Sequence, residues 1–530
     1  MKRILLSIAL CGVLTTANTQ SFQLVKNLYD QTESLLYDYD AGMTYFNGKL
    51  YFTSYYGDIV VSDGTSSGTQ IVSTLGMQKM TALSFHKNRF VPMGNKLYYK
   101  NRRNELCVTD GTTNGTYVVA DIHPTDSTNQ YGVATIMGAT SDKLFFAGND
   151  GVNGFELWVS DGTANGTRMI KDFAPGLVGF FNTTSKHHIG TILDDKLYFF
   201  ANDRTNGWEP WVSDGTEAGT FMLINSNPTG HCSDLMANSW GGYGASEMKF
   251  FSYKNAVYFI AYRGIYKTDG TIAGTTLELS GANYGANIMS SMCVFDNHLY
   301  FNYLSGGNRQ LTKSDGTAAG TVVVGTMSGS MVSGFQEFNG ELYFRCKKGS
   351  SSYNDYIAKL AGSKIDSLTR TTSGFFNYSV DIVQPIGNDF LYMGDYYNHA
   401  IYRYNNGANT LANPEFTSTY DNLLSTPIGT FAIGTNSTYG YELWKWSDTA
   451  SDINELNENS DVKIFPNPVR NIMNIELSSD ANMKILNSVG ATVFTRKLNS
   501  GNNSIDVSYL TNGVYYLTDN KGSVWKIIKN

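Results

Sequence analysis

The sequence predicts an all-β protein: an eight- or nine-bladed β-propeller of four-stranded blades, followed by a small C-terminal β-sandwich. Three observations predict it. The pattern [Ser/Thr]-Asp-Gly-Thr-x-x-Gly-Thr occurs six times, with its aspartates at Asp63, Asp110, Asp161, Asp214, Asp269 and Asp315, spaced by 47, 51, 53, 55 and 46 residues. A strand core of the Leu-Tyr-Phe type runs in step with it, from "NGKLYF" at 47–52 to "NDFLYM" at 388–393. Helical periodicity is absent between these signals, while 53 Gly and 64 Tyr plus Phe in 530 residues suit short strands and tight turns.

The chain opens with a leader. "MKR" is positive, and "ILLSIALCGVL" at 4–14 is apolar but too short to span a bilayer. Small and polar residues follow, which sets residues 1–20 as a signal peptide. Cys11 follows Leu10, where a lipidated cysteine needs a small residue before it, so it is discarded with the leader. No later segment is apolar enough to be a transmembrane span. The net charge of -7, without a basic run, argues against nucleic acid as a partner.

Residues 21–446 form the repeat domain. Its first unit reads as four strands: "GMTYF", the hairpin dipeptide "NG", "KLYFTSY", then "DIVVSDG" and "QIVST". Four short antiparallel strands in under 50 residues are a blade. The Asp-Gly-Thr motif decays after Thr321, but strand signals continue. "IYRYNNG" at 401–407 stands in its place, and "FAIGTNSTYGYELWKWSD" at 431–448 aligns with "FFAGNDGVNGFELWVSD" at 145–161. Nine units are counted.

The ends fit each other. "FQLVKNLYDQT" at 22–32 resembles the fourth-strand segment "TRMIKDFAPG" at 167–176, and the last unit stops after its third strand. An orphan fourth strand at the start and a missing one at the end complete one blade and leave no open edge.

The repeated aspartates are read as turn formers. Gly after Asp reaches positive φ without steric cost, and the carboxylate accepts a backbone N–H of its own turn. A phosphate loop needs a helix behind its glycines and usually a Lys, and neither is present.

The phrase Glu-Leu-Trp-x-x-Asp-Gly-Thr-x-x-Gly-Thr, complete at 156–167 and close at 209–220 and 105–116, resembles the bacterial ELWxxDGT repeat family. The resemblance spans the central four-fifths of the chain and implies a repeat architecture without an activity. The turn also resembles the Asp-box hairpins of sialidases, which are structural.

Residues 447–461, "SDTASDINELNENSD", are polar and free of aromatics, a linker. Residues 462–530 then carry about seven short strand signals with turns, a small sandwich. "FPNP" (Phe465, Pro466, Asn467, Pro468), "LTNGVYYL" with Gly513 and Tyr515, and a basic tail closely resemble the C-terminal sorting domain of type IX secretion in the Bacteroidetes. The resemblance implies the type IX secretion machinery as partner, passage through periplasm and outer membrane, and delivery to the cell surface or the medium.

Candidate chemistry is sparse, and no catalytic residue is nominated. Asn149 and Asp150, with Asn202 and Asp203, sit in equivalent loops as candidate Ca²⁺ ligands; no cofactor is the reading, Ca²⁺ the alternative. His187, His188, His231 and Cys232 hint at zinc but read as loop residues. Cys107, Cys232, Cys293 and Cys346 allow disulfides, with buried free thiols the plainer reading. Trp158, Trp211 and Trp444 share one repeat position and read as core. The functional reading is a binding or interaction module, adhesin-like or glycan-binding, for an unknown glycan or protein ligand. The alternative is a secreted hydrolase or lyase on polysaccharide or peptide, with its site at the propeller channel.

Overall fold

The computed structural model describes residues 21–28, 43–53, 58–73, 90–101, 103–124, 132–173, 175, 190–228, 250–261, 264–280, 292–305, 308–327, 332–347, 355–362, 364–371, 383–387, 389–395, 400–405, 407–413, 417–436, 438, 442–447, 462–487, 492–511, 513–519 and 524–529. The leader at 1–20, the linker at 447–461 apart from Ser447, which ends a strand, and His187, His188, His231 and Cys232 lie outside the described residues. Every regular element among the described residues is a strand.

Before the linker the strands form nine four-stranded antiparallel sheets. Eight are consecutive in sequence, at 44–73, 91–120, 132–171, 191–222, 250–280, 292–327, 332–371 and 384–411. We number these units one to eight and call their strands a to d in chain order. In the first unit strand a (Thr44–Phe46) turns through Asn47 and Gly48, both at positive φ, into strand b (Lys49–Thr53). That is the hairpin geometry the dipeptide favours.

The ninth unit takes strands a to c from Thr417–Thr426, Gly429–Thr435 and Glu442–Ser447. Its fourth strand is Ser21–Lys26, from the other end of the chain, pairing antiparallel from Ser21↔Ser447 to Lys26↔Leu443. The likeness of 22–32 to 167–176 extends to individual bonds. Lys26 Nζ donates to Thr69 O at 2.7 Å, as Lys171 Nζ does to Thr220 O at 3.3 Å. Leu28 N donates to Glu442 Oε1 at 2.9 Å, as Phe173 N does to Glu156 Oε2.

The apolar core is divided among junctions. Phe46, Tyr51 and Val61 of unit one pack with Phe90, Leu97 and Tyr99 of unit two. The same sharing recurs between each unit and the next through unit nine. Phe431, Ile433 and Leu443 of unit nine then pack with Leu50, Phe52 and Val60 of unit one. A fully buried large apolar side chain such as Phe199 or Phe301 contributes about 1.5–3 kcal/mol, so each junction is a substantial interface.

One alignment shifts. The sequence matches "NDFLYM" to its counterparts by Leu-Tyr. The hairpin of unit eight closes at Ile386↔Asp389, however, and that of unit seven at Phe338↔Glu341. Leu391 therefore stands where Tyr343 does, because turn length sets strand phase and a Leu-Tyr pair does not.

After the linker, seven strands form a three-stranded sheet (Val462–Phe465, Ile472–Leu477, Gly501–Asp506) and a four-stranded one. The second orders Thr492–Leu498, Ala481–Leu486, Gly513–Thr518 and Val524–Lys529. Met473, Ile475, Ile485, Leu517 and Ile527 lie in one core drawn from both sheets.

Candidate functional site

The six motif turns are built alike, and unit three serves to describe them. Gly162 adopts φ +89°, a value that side chains resist, and the other five first glycines lie between +85° and +94°. Asp161 Oδ1 accepts the Thr163 N–H at 2.9 Å and its hydroxyl at 2.6 Å. Gly166 N donates to Thr163 Oγ1 at 3.0 Å. Thr167 Oγ1 donates to Thr163 O at 2.7 Å and meets Ser160 Oγ at 2.8 Å. A hydroxyl carries one proton, and that of Thr167 is committed to the carbonyl, so Ser160 is the donor to Thr167. Ser160 Oγ in turn accepts the Gly162 N–H at 3.1 Å. Asp63, Asp110, Asp214, Asp269 and Asp315 make the corresponding bonds at 2.6–2.9 Å. The Thr163 hydroxyl, then its N–H, holds the Asp161 carboxyl below the ordinary range.

The second glycine has a different task from the first. A Cβ on Gly166 would lie 2.1 Å from the Asp161 carboxyl carbon, and all six second glycines meet their aspartate between 2.0 and 2.3 Å. The carboxylate occupies the space a side chain would fill. The first glycine faces the preceding unit. A Cβ on Gly162 would lie 2.2 Å from Tyr98 Oη, on Gly111 2.5 Å from Tyr51 Oη, on Gly270 2.7 Å from Tyr198 Oη, and on Gly316 2.6 Å from Tyr258 Oη. Gly64 meets Phe431 of unit nine in the same way, at 2.9 Å. The Tyr of the strand core thus seats in the next unit's turn, a pairing that no local reading of the sequence reveals.

The two candidate Ca²⁺ loops are equivalent. Asn149 Oδ1 accepts the Gly151 N–H at 2.7 Å, and Asp150 Oδ1 accepts those of Val152 and Asn153 at 2.9 and 2.8 Å. Asp150 Oδ2 accepts Asn153 Nδ2 at 2.7 Å. Asn202 and Asp203 repeat this with Arg204, Thr205 and Asn206. Arg204 takes the positive φ that Gly151 has in the other loop. Among the described residues no group of three or more His, Cys, Asp or Glu side chains could hold a metal ion.

Sequence reasoning gave no role to the glutamate that opens the Glu-Leu-Trp phrase. Glu156, Glu209 and Glu442 are buried, and each accepts the backbone N–H that follows a fourth strand: Phe173, Ser226 and Leu28, all at 2.9 Å. Burial pushes the Glu209 carboxyl up. The signal was the recurrence of an acidic residue at the head of an apolar strand. The three tryptophans are buried against the preceding unit, and Trp158 and Trp444 each donate Nε1 to a glycine carbonyl ten residues back, at 3.1 Å. Cys107 and Cys293 are free thiols, and Cys346 is buried.

In the C-terminal module the two signature stretches fasten its last strands. Asn467 Oδ1 accepts the Ile528 N–H at 2.8 Å, and Val469 N donates to Ile528 O at 2.7 Å. Phe465 ends its strand 45% exposed, and both Phe465–Pro466 and Asn467–Pro468 are cis. Gly513 opens the strand Gly513–Thr518, in which Tyr515 is buried and donates its hydroxyl to Thr511 O at 3.0 Å.

The two-sheet module thus has its last strand held by an Asn-Pro loop. Residues 463–530 match the secretion system C-terminal sorting domain family. The chain is accordingly exported across the outer membrane, to the cell surface or the medium, and its partner in that step is the type IX secretion machinery. Among the described residues no helix is long and apolar enough to cross a membrane. No curated protein matches the chain in sequence.

Solved structures resemble it remotely. The computationally designed protein Ika8 is 11% identical, with 80% of this chain and 99% of that one covered, at a TM-score of 0.38. PorZ of Porphyromonas gingivalis, an essential bacterial surface component of its type IX secretion system, is 10% identical over 92% and 81% at 0.23. The extracellular domain of a one-component system from B. thetaiotaomicron is 10% identical over 97% and 95% at 0.21.

Proposed function

We propose that residues 21–446 are a nine-bladed β-propeller of the ELWxxDGT-repeat kind, acting as a binding or interaction module, adhesin-like or glycan-binding. Residues 1–20 are its leader, 448–461 a linker that starts after Ser447 ends the last strand of the body, and 462–530 the sorting module, with Phe465, Pro466, Asn467, Pro468, Gly513 and Tyr515 as the module's signature. The propeller reading is supported by the unbroken succession of shared clusters from unit one to unit nine and back to unit one. One sheet that joins a strand from the start of the repeat body to three from its end supports it further.

One observation carries the binding reading: the carboxylates that recur in this chain are engaged in the framework. The six motif aspartates fold their turns, and the Glu-Leu-Trp glutamates cap strands. Asp150 and Asp203 likewise hold their own loops, so we assign no Ca²⁺ to them. The repeat therefore supplies a scaffold, and recognition falls to what the scaffold presents.

The test is to pass the mature body over immobilised polysaccharides while measuring reducing ends released into solution. Retention without release is the expected result. Release of reducing ends that grows with time would replace the binding reading with the hydrolase or lyase alternative.

A further inference from the structure

We propose that the ring opens in the sector of units seven and eight, and not at unit nine where the two ends of the repeat body meet. The inference rests on the propeller reading. A ring closed by strands from opposite ends has an obvious weak point, since only non-covalent contacts hold Ser21–Lys26 in place. The contacts at that point are nonetheless the same as those between ordinary neighbours. Phe431 seats against Gly64, Lys26 reaches Thr69 O, and Leu28 is tied to the buried Glu442. Phe22 meets Trp446 edge to face at 5.3 Å between ring centres.

The aromatic-to-glycine seat is present at six successive junctions: nine to one, one to two, and onward to five to six. At three to four the aromatic is Phe145, 3.6 Å from the position a Cβ on Gly215 would take, with the Lys143 stem at 2.8 Å. It then stops. The turns between strands c and d of units seven and eight carry Gly362 and Gly407, and a Cβ on either would meet no described residue within 4 Å. Neither turn has the motif aspartate.

Charges in this sector also turn inward on their own unit. Units one, two and four begin strand b with Lys49, Lys96 and Lys196, Lys143 stands just before strand b of unit three, and a Cβ on Gly270 of unit five would lie 3.2 Å from Lys196 Nζ. Units seven and eight begin it with Glu341 and Asp389. Glu341 pairs with Lys359 at 2.7 Å and Asp389 with Arg403, each within its own sheet. Tyr343 Oη donates to Glu341, again inside its unit. The attraction that crosses a junction from Lys143 to Asp214, from Lys196 to Asp269 and from Lys254 to Asp315 is here confined to one sheet.

Among the described residues, these junctions are held by apolar packing, a pair of glutamines on strands a, and Ser425 Oγ, which donates to Pro385 O at 2.9 Å. Gln336 accepts the Val383 N–H at 3.0 Å and donates to Val383 O at 2.7 Å, and Gln384 accepts the Ser425 N–H at 2.8 Å. Strand a is joined to only one neighbour in its sheet, at the edge opposite strand d. The sector is thus hinged along strands a and unfastened at the c–d turns.

Hydrogen exchange on the full mature chain tests this, because local opening is read segment by segment. Strand amides within 332–411 are expected to exchange about tenfold faster than those within 91–222, the equivalent of about 1.4 kcal/mol. Ser21–Lys26 and Glu442–Ser447 are expected to stay with the slow class. Uniform rates, or earliest exchange in Ser21–Lys26 with residual protection, would overturn the proposal and leave the propeller standing. No protection at all in Ser21–Lys26 would remove the propeller reading and the proposal with it. Gln336→Leu supplies a second measurement: faster exchange confined to 332–411 agrees, and acceleration spread over all units refutes the hinge.

Discussion

Replacing Gly166 by Ala puts a methyl group where the Asp161 carboxylate already is. Gly166 is outside the positive-φ region, so the backbone accepts Ala and the effect isolates the close approach. The Cβ would sit 2.1 Å from the carboxyl carbon and within 2.3 Å of both oxygens. Asp161 must swing away, releasing the bonds from Thr163 N and Oγ1. Losing that exposed pair costs about 1 kcal/mol, and residual crowding adds about 1 kcal/mol, the low end for overpacking. Asp161→Ala removes the same bonds without crowding and costs about 1 kcal/mol. In its background Gly166→Ala meets open space and stiffens the unfolded chain, so it is neutral or stabilising by about 0.4–1 kcal/mol. The double variant is therefore expected near Asp161→Ala alone, a coupling of about 2 kcal/mol. Urea unfolding of the mature body, followed by tryptophan fluorescence with Trp158 in the same unit, measures all four corners. Additive losses would refute the shared-space account of the second glycine.

The same aspartate sets a pH dependence. Its folded pKa is lowered, so its contribution is fully present above the unfolded value near 3.9 and is lost as pH falls through the folded pKa; parent and Asp161→Ala should converge in acid, and a constant gap would exclude the carboxylate. Lys100, donating Nζ to Ala134 O at 2.8 Å, is lowered to about 8 by burial. The unfolded chain then binds the extra proton, so the parent should gain stability relative to Lys100→Met between about pH 8 and 10.5 in paired melts, and a constant gap across that window would refute it. Deleting Ser21–Lys26 should uncover an edge of unit nine and bring aggregation in light scattering, and an unchanged monomer would count against the shared sheet. Truncation after Ser460 should leave folded protein in the periplasm on fractionation of the host, and normal surface delivery would refute the role of 462–530.

The repeat and its turns were legible because Asp-Gly-Thr-x-x-Gly-Thr solves a local problem with local residues, and six copies make the period plain. The shared sheet was legible for a related reason: a strand that performs the same task carries the same residues, so Lys26 and Leu28 match Lys171 and Phe173 in sequence and in bonding. What was not legible lies across junctions. Tyr98 and Gly162 are 64 positions apart in the sequence and belong to motifs that each look self-sufficient. The burial of Glu156 was hidden because its partner, Phe173 N, is a main-chain group with no residue signature. The shifted phase of unit eight depended on whether its turn begins at Ile386 or one residue later, a choice that composition leaves open.

The sheet that joins Ser21 to Ser447 also imposes a timetable. Its N-terminal strand is among the first segments of the body to be synthesised, and its partner is the last. Their contact is separated by over 400 positions, as in Leu28 to Glu442 at 414. At about 5–20 residues per second, ribosomes take roughly 20–80 s to cover that interval. Throughout it the opening strand has no partner, and the apolar faces of units one and eight wait for units not yet made. Consecutive units can assemble as they emerge, since their contacts are with neighbours in time as well as in space. The final contact cannot be hastened by local stability, because it depends on the arrival of Glu442–Ser447. For this chain the shortest interval between making the opening strand and pairing it is set by length, and whatever shields an unpaired strand during export acts on Ser21–Lys26 first.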